Sequence, residues 1–148
     1  MPEPFDPSRP LVLQSGDYGH EIAKMDADLF VTVDDFAVEL APAGSLGFHL
    51  RLVSRSRGPL ADFPWWDHAE WKVGQMAPLD LVGSAEEPYC DTDQGWTIVI
   101  WRDSEFVYVL EGDEVCATEF TWWFRVPVQV WIERWQEIID AARGHTPA

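Results

Sequence analysis

The residues of this chain best suited to chemistry are a histidine, a glutamate and a cysteine spaced like the residues of a zinc site. His68 lies two residues before Glu70, and Cys90 follows a proline and a tyrosine. Such a site needs a second cysteine three residues after the first, because two thiolates and one imidazole hold the metal. Asp93 stands at that position, and His68 lies in an irregular stretch rather than at the start of an apolar helix. We therefore expect no metal and no cofactor.

Other catalytic and ligand motifs are also incomplete. The segment 43–47 approaches the Gly-x-Ser-x-Gly turn that exposes a nucleophilic serine, but its first glycine is missing and a strand is predicted to follow. Asp91 and Asp93 resemble the start of a calcium loop, whose twelfth position should be glutamate but is Arg102. The 26 acidic residues offer too many pairs to select two as catalytic acids. We expect that the protein is not an enzyme.

Net charge and aromatic content are the most informative global features. The 148 residues carry a formal net charge of -16 and nine tryptophans. This charge repels phosphate backbones and anionic lipids, so we expect neither nucleic acid nor a membrane as a partner. Tryptophan is among the side chains most enriched at the centres of protein interfaces. The composition therefore predicts a basic protein partner, and it leaves the oligomeric state unknown.

The candidate partner-binding residues are tryptophans and clustered acids. Trp123 shares a predicted strand face with Glu119, Thr121 and Arg125, so we expect it to be partly exposed unless the irregular, Trp-rich segment 58–80 covers it. That segment is an interface, a pocket wall or core. The full set is Trp123, Trp65, Trp66, Trp71, Glu86, Glu87, Asp91, Asp93, Glu111, Asp113 and Glu114.

One group of basic residues runs against the global charge. His49, Arg51, Arg55 and Arg57 share one parity, so an extended strand would place them on one face, and no acid occurs between Glu39 and Asp62. Either neighbouring acidic strands neutralise these residues, or they form an anion site.

Alternating and aromatic-rich segments predict the strands that must position these residues. Leu29–Val33 and Phe36–Leu40 read as a hairpin with a tight turn at Asp34-Asp35. Leu46 to Val53 alternates with period two. The strongest hairpin runs from Trp96 to Leu110, with Trp101 paired to Phe106 and both faces apolar. From Gly58 to Asp80 we expect little regular structure beyond a short helix capped near Asp62.

A further strand, 118–126, leads into an amphipathic helix. Pro127 is expected at its first position, and Trp131 and Trp135 lie on its apolar stripe as core residues. The predicted fold is α+β: a largely antiparallel sheet of about five to seven strands with this C-terminal helix packed on one face. We expect a mobile Pro-rich arm at 1–10 and a single globular domain over 11–148.

The expected compartment is the cytoplasm. The acidic, proline-rich start does not resemble a secretory signal, and no apolar run is long enough to span a bilayer. Two cysteines, Cys90 and Cys116, are too few for a disulfide framework and are expected to be buried free thiols.

The leading functional hypothesis is a protein-binding module. In composition, the chain is similar to many bacterial immunity proteins and toxin inhibitors, a likeness that covers no motif and transfers no residues. It implies neutralisation of a basic enzyme such as a nuclease toxin. The alternative is a small-molecule site walled by tryptophans with Arg51 or Arg55 as an anchor, and an uncharacterised enzyme is the third possibility.

Overall fold

The computed structural model describes residues 11–12, 22, 25, 30–42, 48–56, 58–63, 75–93, 96–113 and 119–143. The chain divides into two compact units. Unit 1 comprises Met1–Val33 and Leu81–Val128, and unit 2 comprises Asp34–Asp80 and Gln129–Ala148. Each unit combines segments that are distant in sequence. The predicted arm at 1–10 lies outside the described residues, and a single domain over 11–148 stays a prediction.

Ten strands and one helix are described. In chain order they are β1 (Leu11–Val12), β2 (Val31–Thr32), β3 (Phe36–Pro42), β4 (Phe48–Ser54), β5 (Gly58–Phe63), β6 (Gly83–Ser84), β7 (Tyr89–Asp93), β8 (Trp96–Arg102), β9 (Phe106–Asp113), β10 (Glu119–Pro127) and α1 (Val128–Arg143). The seven-stranded sheet of unit 1 has β8, β9 and β10 at its centre. β1 and β2 both pair with β10, and β6 and β7 both pair with β8; among the pairings described, those of β2 and β6 are parallel.

The β8–β9 hairpin is buried on both faces, as the sequence predicts. One face carries Val99, Trp101, Tyr108 and Leu110, and the other carries Ile98, Ile100, Val107 and Val109, all between 0% and 4% exposed. The predicted pairing is wrong, because Trp101 lies opposite Tyr108 rather than Phe106. Side chains alternate with period two, so a shift of two residues changes the partners and keeps every residue on its face.

The predicted hairpin between Leu29–Val33 and Phe36–Leu40 is wrong. β2 runs parallel to β10, and the Val33 N–H donates to the Arg125 carbonyl at 2.8 Å. β3 instead pairs antiparallel with β4 in a separate three-stranded sheet. The chain between them therefore leads from one sheet to the other rather than reversing within one.

Asp35 has a different role from the one predicted for it. Its Oδ1 accepts the Ser54 hydroxyl and its Oδ2 accepts the Ser56 N–H, both at 2.7 Å. Hydrogen bonds from the side chains of Ser56 and Ser54, with a smaller contribution from the Ser56 N–H, lower the pKa of the carboxyl to about 2, because they stabilise its charged form. Asp35 thus ties the start of β3 to the end of β4.

Unit 2 contains the three-stranded sheet β3–β4–β5 and helix α1. β5 shows that the stretch after Gly58 begins with a regular strand, so the expected irregularity and helix cap at Asp62 are wrong there. Asp62 lies within β5, opposite Arg51 of β4.

The helix packs through its tryptophans. Trp131, Trp135 and Ile139 recur every four residues and are at most 1% exposed, as the helical periodicity predicts. The Trp131 ring stacks on Phe36 with centroids 5.0 Å apart, and its Nε1–H donates to the Pro78 carbonyl at 3.0 Å. Pro127 is the last residue of β10 rather than the first of the helix. The Val128 N–H donates to the Glu105 carbonyl at 2.9 Å.

The α+β class is confirmed, with a mixed seven-stranded sheet, a second small sheet and a C-terminal helix packed on a strand. The division of the strands into two sheets was not predicted from the sequence. Within the described part of the chain, no helix has both the length and the apolar character needed to cross a membrane.

Candidate functional site

An aromatic cluster lies on one face of the unit 1 sheet. Trp101 of β8 and Tyr108 of β9 are register partners, and their rings stack with centroids 5.4 Å apart. Phe30, just before β2, meets both edge-on, at 5.7 Å from Trp101 and 5.1 Å from Tyr108. Edge-to-face and offset contacts of this kind stabilise aromatic groups beyond simple burial. The rings therefore form a fixed apolar floor.

The turn between β8 and β9, residues 103–105, is organised by one carboxylate. Asp103 Oδ1 accepts the backbone N–H groups of Glu105 and Phe106, at 2.7 and 2.8 Å. Its Oδ2 accepts the Tyr108 hydroxyl at 2.6 Å. An aspartate that caps its own turn in this way explains why the hairpin reverses here rather than one residue earlier.

The same network sets the charges of Asp103 and Tyr108. Desolvation alone would raise the pKa of Asp103, but the Tyr108 and backbone hydrogen bonds and the nearby Arg125 charge lower it overall. Desolvation and the bond to Asp103 raise the pKa of Tyr108 to about 12, against an opposing effect of Arg125. At neutral pH the pair is therefore a carboxylate that accepts a hydrogen bond from a neutral phenol.

Arg125 supports this arrangement from β10. Its guanidinium lies 4.0 Å from the centroid of the Phe106 ring, and its Nε–H donates to Thr32 Oγ1 at 2.9 Å. A cation over an aromatic face is attracted by the ring quadrupole. The contact with Thr32 also links β10 to its parallel neighbour β2.

A pocket of about 170 Å³ opens above the aromatic floor. Its apolar lining comes from Phe30, Trp101 and Tyr108 together with Ile22 and Met25, which are joined by a 3.0 Å backbone hydrogen bond from the Met25 N–H to the Ile22 carbonyl. The volume is below the roughly 300–1,000 Å³ of drug-sized ligand sites. It is close to the ~150 Å³ of an engineered protein cavity that holds a single benzene ring.

Polar and exposed residues complete the lining. They are Ala85, Arg102 and Asp103, of which Ala85 and Asp103 are exposed and Arg102 is partly exposed. Arg102 Nε–H donates to the Asp103 carbonyl at 3.1 Å. These residues form the rim of the pocket, where an incoming group meets solvent.

The turn that carries Ala85 is held close to the β8–β9 turn. β6 runs parallel to β8, with Ser84 opposite Arg102, so the chain leaves both strands at the same end of the sheet. The Ser84 N–H donates to the Glu87 carbonyl at 3.1 Å, and Ser84 Oγ accepts the Glu87 N–H at 3.0 Å. A Cβ on Gly83 would collide with backbone atoms of Glu87 and Tyr89. Only glycine fits this turn as it stands.

Exposed acids lie in the two turns that contribute Ala85 and Asp103 to the pocket. Glu86 and Glu87 belong to the turn after β6, and Asp103 and Glu105 belong to the turn after β8; all are exposed. We call this group, with the pocket, the acidic end of the sheet. Local negative charge favours cations and disfavours anions there.

The tryptophans predicted to bind a partner do not form an exposed patch in the described structure. Trp123 is 1% exposed, because it lies opposite Leu110 in the aromatic face and packs in the same cluster as Trp101 and Tyr108. The partial exposure expected of an uncovered Trp123 is not observed, and the segment expected to cover it otherwise, 58–80, lies partly outside the described residues. Trp65, Trp66 and Trp71 lie outside the described residues.

The predicted acidic residues fall into different environments. Glu86 and Glu87 are exposed, as expected, whereas Glu111 is 2% exposed and engaged within the fold, so it cannot face a partner. Asp91, Asp93 and Asp113 are placed on strands β7 and β9, but their side chains lie outside what is described. Glu114 lies outside the described residues altogether.

The register of unit 2 favours neutralisation of the basic group over an anion site. Arg51 lies between Glu39 of β3 and Asp62 of β5, the acidic neighbours that one of the two interpretations requires. Arg55 is exposed beyond the end of β4, and its N–H donates to the Asp35 carbonyl at 3.1 Å. The side chain of His49 and all of Arg57 are outside the described part.

The pocket and its rim were not predicted from the sequence. Trp101 was placed only in a hairpin with apolar faces and Arg102 only in an incomplete calcium loop, and Asp103 and Tyr108 were not singled out. A charged turn directly after an aromatic strand face was the available signal. Cys90 was expected to be buried, but its residue is exposed and its thiol is free, and partial desolvation raises the thiol pKa.

Among the described residues, no three His, Cys, Asp or Glu side chains are grouped as ligands for a metal ion. Comparison of the chain with protein-family models, with curated proteins and with solved structures finds no match.

Proposed function

We propose that this protein is a non-enzymatic binding module that neutralises a basic protein, such as a toxin or nuclease, through the acidic end of the sheet. The observation that carries this proposal is the grouping of Glu86, Glu87, Asp103 and Glu105 in two turns at one end of the unit 1 sheet. The same two turns contribute Ala85 and Asp103 to a pocket with an aromatic floor. Interfaces commonly combine such a desolvated aromatic centre with a charged rim.

The global charge supports the same kind of partner. A chain of net charge -16 attracts a cationic protein over long distances and raises the association rate. Phosphate backbones and anionic lipid surfaces carry the wrong sign for this field. We propose the cytoplasm as the compartment, where the exposed thiol of Cys90 would stay reduced.

Small-molecule binding is the second candidate, and the pocket itself favours it. Trp101 provides an aromatic wall and Arg102 a cationic anchor, in place of the tryptophans and arginines expected from the sequence. The volume of about 170 Å³ restricts such a ligand to roughly one ring. A pocket of this size suits a single side chain of a partner protein better than a free small molecule.

The test is affinity capture from the native host at low salt, followed by rate measurements with the purified captured protein. The Glu86→Gln, Glu87→Gln, Glu105→Gln triple variant removes three charges from the acidic end. A matched control removes three from exposed positions of helix α1, as Glu133→Gln, Glu137→Gln and Asp140→Asn. Both variants change the net charge equally, so a difference between them reports the location of the interface.

We expect the acidic-end variant to slow association about tenfold and the helix variant to slow it much less. Association of the unmodified protein should also slow steeply as salt rises, because the charges are screened. Recovery of no basic protein would contradict the proposal. Equal slowing by the two variants would show that the partner does not dock at the acidic end.

A further inference from the structure

We propose, building on the function suggested for the acidic end of the sheet, that its pocket receives one basic side chain, lysine or arginine, of the partner protein. The juxtaposition of a small aromatic cavity with exposed carboxylates points to this occupant. It would serve as the anchor of the interface.

Size is the first reason. The pocket of about 170 Å³ is too small for a nucleotide or a large cofactor, whose sites occupy several hundred Å³. It matches a group of about the size of a benzene ring or a short alkyl chain. One long side chain from another protein fills such a space, and filled pockets of this kind are where binding energy concentrates.

The surrounding charge selects the sign of that side chain. Asp103 lines the pocket, and Glu86, Glu87 and Glu105 are exposed on the same two turns. Arg102 is the single cationic residue of the described lining. Arg125 also lies near Asp103 and Tyr108, so the two turns carry four carboxylates against two guanidinium groups, and this excess of negative charge favours a cation over an acidic side chain.

The aromatic floor favours the same occupant. Trp101, Tyr108 and Phe30 line the pocket and give an alkyl stem an apolar surface to pack against. A lysine or arginine can thus bury its stem against the rings while its charged end stays near the rim carboxylates.

The experiment uses single-residue probes, so that it does not depend on capturing the partner. N-acetyl-arginine amide, N-acetyl-lysine amide and the neutral N-acetyl-norleucine amide are titrated separately into the full chain. Binding is followed by NMR through the Met25 methyl group and the Trp101 indole N–H. Both residues line the pocket.

Two variants locate the binding. Ala85→Leu places a larger side chain at an exposed position of the pocket rim, and Ala141→Leu makes the same change at an exposed position of helix α1. Because both alanines are exposed, both variants should keep the backbone amide spectrum of the original chain.

We expect the arginine and lysine amides to produce saturable shifts with Kd on the order of 1–10 mM, and the norleucine amide to bind about threefold to tenfold more weakly. Ala85→Leu should abolish the shifts and Ala141→Leu should leave them unchanged. Equal binding of the neutral amide, absence of saturable shifts with either cationic amide, or unchanged binding in Ala85→Leu would each overturn the assignment.

The amide titrations and the test of the proposed function can fail independently of each other. If the cationic amides fail but the Glu86, Glu87 and Glu105 substitutions still slow a basic partner, the pocket assignment fails and the binding function stands. If the amides bind in the pocket but no basic protein is captured, the pocket assignment stands and the proposed partner is wrong.

Discussion

The hydrogen bond between Tyr108 and Asp103 is open to a direct test by the change Tyr108→Phe. This substitution removes one oxygen and leaves the ring that stacks on Trp101 at 5.4 Å. The lost bond is 2.6 Å long and charge-assisted, a type worth about 1.5–3 kcal/mol. Asp103 is exposed, so water can replace the phenol as a donor. We therefore expect the free energy of unfolding to fall by about 1.5 kcal/mol at pH 7, near the lower end of that range.

The difference in the free energy of unfolding between the original chain and the Tyr108→Phe variant should depend on pH. The folded-state pKa of Asp103 is lowered, so its contribution is present above about pH 4 and is lost as pH falls through the folded value. The pKa of Tyr108 is raised to about 12, so its contribution is present below its unfolded pKa and is lost as pH rises through the folded one. The unfolded-state pKa of tyrosine is about 10. The difference should be greatest between these limits and shrink on both sides.

Urea unfolding followed by far-UV circular dichroism at a series of pH values measures this difference. Asp103→Asn and the double variant complete a cycle, whose coupling energy should be about 1 kcal/mol or more at pH 7. A destabilisation below about 0.5 kcal/mol, the size of ordinary surface effects, would refute the assigned bond. So would a difference that stays constant from acid to alkaline pH.

Three further changes test other contacts. Trp131→Ala should cost about 3–5 kcal/mol, because a fully buried ring stacked on Phe36 is removed, and urea unfolding measures it; a cost under about 1 kcal/mol would contradict the packing. Ser54→Ala should raise the pKa of Asp35 from about 2 towards its ordinary value, as seen in the carboxyl carbon shift during an NMR titration; an unchanged titration would rule out this hydrogen bond as a cause. Gly83→Ala should cost about 1–3 kcal/mol by overpacking and should shift the amide resonances of 84–88, and an unperturbed spectrum would contradict the close approach.

The hairpin shows what alternation in the sequence determines. Alternation alone predicts that Val99, Trp101, Tyr108 and Leu110 share one buried face, because side chains two residues apart lie on the same side of a strand. Predicting which residues pair across the two strands also requires the geometry of the turn. Asp103 closes the turn with its own carboxylate and sets the register two residues away from the expected one.

The long-range pairings could not be inferred from local pattern. Asp34-Asp35 has the composition of a tight turn, yet β2 pairs with a strand more than 90 residues later, as the Arg125 to Thr32 hydrogen bond shows. Short-range signals favour hairpins between neighbouring segments. Nothing in the segment itself encodes a parallel partner so distant in sequence.

The exposure of Trp123 was misjudged because its polar neighbours were taken as solvated. Arg125, two residues along, instead lies over the Phe106 ring and bonds to Thr32. Pairing β10 with β9 would have placed Trp123 beside Leu110 and predicted its burial. Predicting the rim of the pocket would also have required the parallel pairing of β6 with β8, because that pairing brings together the turns that follow these two strands.

The interleaving of the two units affects how the chain can fold during its synthesis. Unit 1 lacks its central strands until Val128 has been made, and unit 2 lacks its helix until later still. At about 5–20 residues per second, β1 and β2 wait for several seconds before their partner β10 exists, whereas β3, β4 and β5 pair with one another and wait only for helix α1. During that interval their apolar residues have no native core to enter. The same excess of negative charge that suits a cationic partner would then also keep the nascent chains apart by mutual repulsion.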